Sequence, residues 1–414
     1  MHGRSWRQAS SLPVRAASCR PAGKPGSLAA SDGCCYGSGA HGARGVREVL
    51  SPFVAVLLAL ACSGCSSPSI GEAPQADQRS RFIGLTDLSA FTKTTGPEPG
   101  TVVFTSKQIA ALIDWNELVI SWNAPADTAL KVEARALGKD WSSRFYHLGL
   151  WSLDPARHPR TSVTGQKDGD GEVKTDTLVL NRLARGVQVR LTLTPLPGSA
   201  RPSLRFLGLS FLNRAQPLSS QPPNPRAWGR TIPVPERGQL DYADGRDWCS
   251  PTSVSMVLAH WASARHRRDW DIGVPEAARQ IHDPAWGGTG NWCFNTALAG
   301  SLPGMRACVT RFGDLAEVET WTAAGFPVVL SVSFDLLNGK TRDEGTGHLV
   351  VCVGFTATGD VVVNDPWAPK KEGLRVRRTY PRAQVVKGWQ RSENTVYLIY
   401  PEQAKIPPNR RGHW

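Results

Sequence analysis

Two distant segments of this chain carry reactive side chains, a cysteine in one and a histidine with an aspartate in the other. The first is DWCSPTS (247–253), which runs into an apolar stretch; the second is GHLVV (347–351), followed by VVVNDP (361–366). Together they can supply a nucleophile, a base and a carboxylate that orients the base. A chain that uses these groups must fold so that the two segments meet.

The thiol of the first segment is predicted at the start of a helix. Apolar residues recur at helical spacing from Val254 to Trp261, which is typical of a buried helix. Pro251 suits the first helical turn, where its missing N–H has no cost. Cys249 would then lie at the helix N-terminus, where free N–H groups favour the thiolate. A buried structural cysteine is the alternative interpretation.

The imidazole and the carboxylate of the second segment are predicted on neighbouring strands. Residues 348–355 and 360–365 read as strands joined by the loop TATG (356–359). If Phe355 pairs with Asp360, His348 lies opposite Trp367, and Asp365 is its diagonal neighbour. Such neighbours are roughly 7–8 Å apart at Cα, so the side chains can meet. A β-bulge would change this register, and a core histidine is the alternative for His348.

The other candidates fit this chemistry less well. His260 lies on the same helix as Cys249, about 16 Å along its axis. His266 stands in a basic connector and His282 adjoins a turn. Asn364 is a neighbouring alternative to Asp365 as orienter of the base.

An oxyanion needs hydrogen-bond donors as well. The backbone N–H of Cys249 and the side-chain amide of Gln239, ten residues upstream, are the candidates. An exposed loop glutamine is the alternative for Gln239.

Residues 233–402 resemble the peptidase domain of the bacteriocin-leader-processing (C-thirty-nine-like) cysteine peptidases, in their secreted actinobacterial-type branch. The matching segments are WCSPTSVSMVL (248–258), GTGNWCFNTALAG (288–300), GFPVVLSVSF (325–334), GHLVVCVGFTATGDVVVNDPWA (347–368) and VRRTY (376–380). The resemblance implies a papain-like fold. It also implies Cys249 as nucleophile, His348 as general base and acid, Asp365 as orienter and Gln239 as oxyanion donor, with no metal or cofactor.

The chain departs from the family pattern at two positions. Ser250 follows the nucleophile where glycine is commoner, and Cys293 stands where proline is common. Cys293 and Cys308 are the two cysteines beyond residue 65 that neither the motif nor a buried strand explains. In an exported protein we expect them to form a disulfide.

Export is predicted from a short apolar run. LSPFVAVLLALA (50–61) follows Arg44 and Arg47; it is too short to span a bilayer and fits a signal-peptide core. The run ends in CSGCSS (62–67), which resembles a bacterial lipobox with Cys65 as the lipidated residue. We therefore expect an extracytoplasmic protein, either anchored to a membrane by a lipid or released.

The charge of the mature chain constrains its partners. Residues 1–64 hold seven Lys and Arg and two Asp and Glu, so removing them lowers the net charge from +13 to +8. This charge suits anionic envelope polymers or a membrane surface. We find no nucleic-acid-binding motif and expect a monomer whose substrate is a peptide or a cell-wall peptide.

The composition divides the chain into segments. We predict an N-terminal extension plus signal peptide (1–64), a polar tether (65–80), a β-sandwich or jelly-roll domain (81–214), a Pro-rich linker (215–232), the peptidase domain (233–402) and a basic tail (403–414). The strict alternation of VQVRLTLT (187–194) favours a half-buried strand in an all-β domain. The second domain mixes helices with strands, which makes the whole fold α+β.

Three functions are compatible with this sequence. The first is an envelope or secreted cysteine peptidase that works through an acyl-enzyme. The second is a peptidoglycan amide hydrolase or transpeptidase that uses the same thiol. The third is a non-catalytic envelope binding protein, in which the β domain recognises the ligand.

Overall fold

The computed structural model describes residues 77–199 and 201–414. The predicted signal segment and Cys65 lie outside these residues, so their roles stay predictions. Among the helices of the described residues, none is long and apolar enough to cross a membrane.

The N-terminal half, which we call the β half, is an antiparallel β structure of nine strands between Ser80 and Leu212. Its order is β1-β9-β4-β8-β3-β2, with β5 and β7 also paired to β8 and with β6 paired to β5. The strands are β1 (Ser80–Leu85), β2 (Thr92–Thr95), β3 (Val102–Thr105), β4 (Ile109–Asn123), β5 (Thr128–Leu137), β6 (Tyr146–Trp151), β7 (Gly171–Lys174), β8 (Thr177–Pro195) and β9 (Phe206–Leu212).

The long strand β8 connects the two layers of this half. Its first part pairs with β4 up to Val187, and its later part pairs with β3 on one side and β5 on the other. The alternation of residues 187–194 predicts only the later part of this strand, because Asn181, Arg182 and Arg185 interrupt the apolar pattern before it. The predicted sandwich is confirmed, and its alternating residues form the core.

Tryptophans fill this core. Trp115, Trp122 and Trp151 are each at most 1% exposed, whereas Trp141 lies on the surface below the guanidinium of Arg182. Such large apolar side chains contribute most of the buried area. The structure therefore favours core packing over a carbohydrate- or peptide-binding role for the three buried rings.

The C-terminal half is α+β, as predicted. Six helices surround a seven-stranded antiparallel sheet of order β11-β16-β12-β13-β14-β15, with β10 paired to β13. The elements are β10 (Arg230–Thr231), α1 (Cys249–Ala264), α2 (Val274–Ile281), α3 (Trp292–Ser301), β11 (Met305–Arg311), α4 (Leu315–Ala323), β12 (Val328–Ser333), α5 (Phe334–Leu337), β13 (Gly347–Phe355), β14 (Val361–Asn364), β15 (Arg377–Tyr380), α6 (Arg382–Gln390) and β16 (Thr395–Pro401).

Local sequence signals set the ends of α4. The Asp314 side chain accepts a hydrogen bond from the Ala316 N–H at 2.9 Å, and Glu317 reaches back to the Gly313 N–H at 2.8 Å. These bonds satisfy donors that the first helical turn leaves free. Gly325, with a φ of 86°, follows the last turn, which is a position that favours glycine.

The two halves share a single hydrophobic core. Trp122 and Trp151 of the β half contact Phe294 of α3, with ring centroids 6.2 and 5.4 Å apart. Between the halves, the buried carboxylate of Glu117 also pairs with the buried guanidinium of Arg311 at 3.0 Å. The β half is therefore packed against the C-terminal half rather than tethered beside it.

The C-terminal tail is part of this packing. His413 is buried, and its Nδ1 lies 2.8 Å from a Glu317 oxygen. Arg411 pairs with Asp77 at 2.5 Å, and the Trp414 ring packs on Phe312. Sequence reading gave only a basic tail, because its partners come from distant parts of the chain.

Candidate active site

Cys249 is the first residue of α1, and it stays partly exposed while the residues after it are buried. Two hydrogen bonds hold this end of the helix. The Ser250 hydroxyl lies 3.0 Å from the hydroxyl of Tyr397 on β16, and the Ser253 hydroxyl donates to the Leu349 carbonyl at 3.2 Å. The helix start is therefore fixed against two strands of the sheet, one of which carries His348.

The register between β13 and β14 differs from the predicted one in two ways that cancel. Phe355 pairs with Val361 rather than with Asp360, but a bulge between Cys352 and Gly354 shifts the ladder back by one residue. The pairing of Val351 with Asn364 then continues along the predicted line.

The bulge has a visible cause. Gly354 has a φ of 155°, and a Cβ at this position would lie 2.0 Å from the Arg230 carbonyl oxygen on β10. Only glycine lets β10 approach this closely. The result is that His348 and Asp365 meet, with Nε2 of the ring 2.7 Å from the carboxylate Oδ1.

Asp365 is completely buried, and donors surround its carboxylate. Oδ1 also accepts the Trp367 N–H at 2.9 Å; Oδ2 accepts the Tyr380 hydroxyl at 2.7 Å and lies 2.8 Å from the Arg378 guanidinium. Burial alone would raise the pKa of Asp365, but the charge and hydrogen bond of His348, with Arg378 and Tyr380, hold it below its ordinary value. The orienting group is thus an ionised carboxylate in a fixed position.

The His348 ring is 3% exposed, and the Phe334 ring meets it edge-on with centroids 5.1 Å apart. Burial lowers the pKa of His348. The charge and hydrogen bond of Asp365, together with those of Cys249, outweigh burial and raise the pKa to about 10. Because Asp365 engages Nε2, Nδ1 is the nitrogen left for the thiol. The arrangement therefore favours an imidazolium beside Cys249.

Gln239 is buried, and its backbone N–H donates to the Pro366 carbonyl at 2.9 Å, next to Asp365. Its side-chain amide donates to the carbonyls of Gly245 and Arg246 at 2.9 and 2.7 Å. Its Oε1 is buried without a hydrogen-bond partner. In this arrangement the amide braces the turn before Cys249, and both of its N–H donors are occupied.

The competing candidates lie elsewhere. Asn364 turns to the other side of β14, where its amide donates to the Val234 carbonyl at 3.1 Å. His260 is buried further along α1, facing the Pro233 carbonyl at 3.5 Å. His282 is an exposed residue at the end of α2.

The predicted disulfide between Cys293 and Cys308 is not formed, and both residues are buried free thiols. The reason is the alternation of β11. Cys308 lies near Arg306 and Tyr400 on one face of the strand, whereas Cys293 of α3 lies near Arg311, which has the opposite parity. Burial raises the pKa of Cys308 to about 12, which disfavours its reactive thiolate form.

Sequence reading missed the residues that hold Asp365. Arg378 and Tyr380 belong to VRRTY (376–380), a segment noted for its family resemblance but given no role. Their signal was the two-residue spacing on β15, which aims both side chains at the same neighbour. Within the described residues, no group of three or more His, Cys, Asp or Glu side chains is placed to hold a metal ion.

Each half of the chain is similar to a known domain family. Residues 82–211 match the Peptidase C39 N-terminal domain, and residues 231–397 match the Peptidase C39-like family. Residues 231–397 belong to the C39-like peptidase family. This domain supports a cysteine peptidase as the general class of the protein.

Solved structures show only weak likeness. A protein from Bacillus anthracis assigned to the C39-like peptidases is 19% identical over 42% of this chain and 98% of its own length, with a TM-score of 0.33. The structure of infectious bursal disease virus Gt strain is 16% identical over 35% of this chain and 38% of its own, with a TM-score of 0.17. No curated protein matches the chain.

Proposed function

We propose that this C39-like protein is an extracytoplasmic cysteine peptidase that hydrolyses peptide or amide bonds through Cys249, His348 and Asp365. One observation supports this most directly: a partly exposed thiol at a helix start adjoins a buried His348–Asp365 pair. A nucleophile, a base and an orienter in this order are what thiol hydrolysis requires.

The mechanism begins with the ion pair. The imidazolium of His348 stabilises the Cys249 thiolate, which attacks the carbonyl carbon of the substrate. His348 then gives its Nδ1 proton to the leaving amine, and an acyl-enzyme forms with release of the first product. A water molecule that loses its proton to His348 hydrolyses the thioester and frees the thiol. Asp365 keeps the ring in one tautomer and orientation throughout.

The oxyanion of each tetrahedral intermediate needs donors. We assign one to the Cys249 backbone N–H and a second to the Gln239 amide. Because both N–H bonds of that amide are engaged by the carbonyls of Gly245 and Arg246, substrate must draw one of them away. Gln239 therefore combines bracing of the turn with stabilisation of the intermediate.

The proposal includes a location and partners. The signal segment predicted to end near Cys65 supports a location outside the cytoplasm, with a lipid anchor if Cys65 is modified. There a monomeric enzyme would meet envelope peptides or the peptide stems of the cell wall. Its positive charge would favour contact with anionic envelope polymers.

The test compares the wild-type protein with Cys249→Ala. Each is incubated with a peptide library and with cell-wall fragments, and mass spectrometry identifies the products. We expect new termini from the wild-type protein alone. Products joined to an added amine would instead indicate a transpeptidase. Identical product patterns from the two proteins would remove the catalytic role.

A further inference from the structure

A turn of the β half contacts the C-terminal half close to the candidate site. The turn joins β7 to β8, and Thr175 adopts a left-handed φ of 58° within it. This places the carboxylate of Asp176, which is buried, against the start of α3. Oδ2 accepts the backbone N–H of Trp292 at 2.7 Å, and Oδ1 accepts the Thr177 hydroxyl at 3.2 Å.

The carboxylate supplies what α3 lacks. The side chain of Asn291, the residue before the helix, accepts the N–H of Phe294 at 3.2 Å. The N–H of Trp292 is one of the first-turn donors that a helix cannot satisfy internally. Asp176 satisfies it from the other half of the molecule, and its negative charge suits the helix N-terminus.

One chain of hydrogen bonds leads from α3 to the backbone just before Cys249. The Asn295 amide donates to the carbonyls of Asn291 and Thr289, at 2.8 Å in each case. The Thr289 hydroxyl in turn donates to the Asp247 carbonyl at 2.8 Å. Asp247 stands two residues before Cys249, so the loop before α3 holds the backbone that presents the nucleophile.

A second contact from the β half supports the same loop. The Asp283 carboxylate accepts the Ser162 N–H at 3.0 Å and the Asn291 amide at 3.0 Å. Arg160 donates to the carbonyls of His282 and Arg279, at 3.1 and 2.8 Å. Residues 279–292 are thus held by two separate parts of the β half, one at 160–162 and one at Asp176.

The charge of Asp176 also acts on Tyr397 of β16, whose hydroxyl contacts α1 at Ser250. Tyr397, whose hydroxyl meets Ser250, has a pKa raised well above its ordinary value, mainly by burial. The charges of Asp176, Cys249 and Cys293 raise it further, while the Ser250 hydrogen bond lowers it. These groups therefore share one buried region behind the nucleophile.

We propose that the β half completes the active site, and that Asp176 is the positioning residue through which it holds the backbone at Cys249. The idea rests on the proposed function for its catalytic meaning. It assigns the β half a part in the enzyme rather than the role of a spacer. Burial raises the pKa of Asp176 to about 6, so its charge is present at pH 7.5.

The experiment uses the full chain with the substitution Asp176→Ala, and Asp176→Asn as the conservative variant. Asn keeps an acceptor for the Trp292 N–H. Asp114→Ala is the matched control, because Asp114 makes an exposed pair with Arg185 in the same half. The first readout is the rate of Cys249 alkylation by iodoacetamide at pH 7.5, followed by peptide mass spectrometry. The second is the division of any change in turnover between kcat and KM.

For Asp176→Ala we expect alkylation at least fivefold slower and kcat lower by about 10- to 100-fold, with KM nearly unchanged, because misplacing the thiol slows the chemical step. Asp176→Asn should stay within about threefold of wild type, and Asp114→Ala should match it. A folded Asp176→Ala protein with unchanged alkylation and kcat would overturn the proposal. Equal losses in the Ala and Asn variants would also overturn it.

A second variant covers the case in which Asp176→Ala does not fold. Thr289→Val removes only the bond to the Asp247 carbonyl, and alkylation should slow by a similar factor. If it does not, the route from α3 to the thiol is wrong. In a folded Asp176→Ala background, Thr289→Val should add little further loss, since both act along one route. Alkylation needs no substrate, so it can support this inference even if no peptide is cleaved.

Discussion

The described residues include two buried histidines that face carboxylates, and only one of these two adjoins an accessible nucleophile. His348 meets Asp365 at 2.7 Å; His413, in the C-terminal tail, meets Glu317 at 2.8 Å and lies 3.3 Å from Asp77. Both histidines have a raised pKa. Burial lowers each value, and the facing carboxylates more than compensate.

The two histidines differ in the group that lies on the other side of the imidazole ring from the carboxylate. His348 contacts the partly exposed Cys249, whereas His413 is fully enclosed by the junction of the two halves. A perturbed histidine is therefore a weak sign of catalysis by itself. The candidate active site differs from the structural ion cluster because its histidine contacts a nucleophile that is accessible to solvent.

The largest expected effect contrasts the two rings in activity. His348→Ala should lower kcat/KM by about 10³-fold or more, since it removes the general base and acid. His413→Ala should leave kcat/KM of the folded protein within about threefold of wild type. Steady-state kinetics with one cleaved peptide measures both. Comparable losses of kcat/KM in the two variants would show that His348 has no special role in catalysis.

The second prediction concerns stability, for which the substitution of His413 should have a large effect. His413→Ala should lower the free energy of unfolding by about 3 kcal/mol, because it removes a buried partner of Glu317 and Asp77 and leaves only Arg411 to balance their charge. Urea unfolding followed by tryptophan fluorescence measures this. His282→Ala, at an exposed site, is the matched control and should change stability by less than about 0.5 kcal/mol. A similar value for both would show that the tail cluster contributes little.

The third effect concerns pH and activity. The alkaline limb of kcat/KM should report the loss of the His348 proton, which Asp365 delays by raising that pKa. Asp365→Asn removes the negative charge, so the limb should move to lower pH by about one unit or more. Asp77→Asn beside His413 serves as the control and should leave the profile in place. An unmoved limb in Asp365→Asn would contradict the assigned ion pair.

The smallest effect concerns pH and stability. The folded pKa of His413 is above its unfolded value, so its stabilising contribution is complete below about pH 6.5 and is lost as the pH rises through the folded pKa. The difference in unfolding free energy between wild type and His413→Gln should therefore shrink by about 1 kcal/mol between pH 6 and pH 9. A difference that grows with pH would mean that His413 is neutral in the folded protein.

Much of the candidate site could be predicted from local sequence pattern. Helical spacing after Cys249 and alternation around His348 depend on neighbours in sequence, so both elements could be read directly. The contact between His348 and Asp365 was expected from a simple hairpin. It forms because a bulge at Gly354 corrects a pairing that begins one residue out of step. The bulge itself depends on the approach of β10, which no local pattern reveals.

The cysteines show the opposite outcome. Cys293 and Cys308 are close in sequence and suited a disulfide by elimination, yet their side chains lie in different environments around β11. Pairing of thiols is decided by strand parity and by helix placement. Neither is visible in residue spacing alone.

The sequence by itself determined the thiol helix, the histidine strand, the α+β class and the all-β half, because each follows from the periodicity of neighbouring residues. Tertiary structure alone decided what surrounds them: the donors around Asp365, the turn of Asp176 at α3 and the enclosure of His413. Those contacts join residues far apart in the chain, and their energies exist only once both partners are buried together.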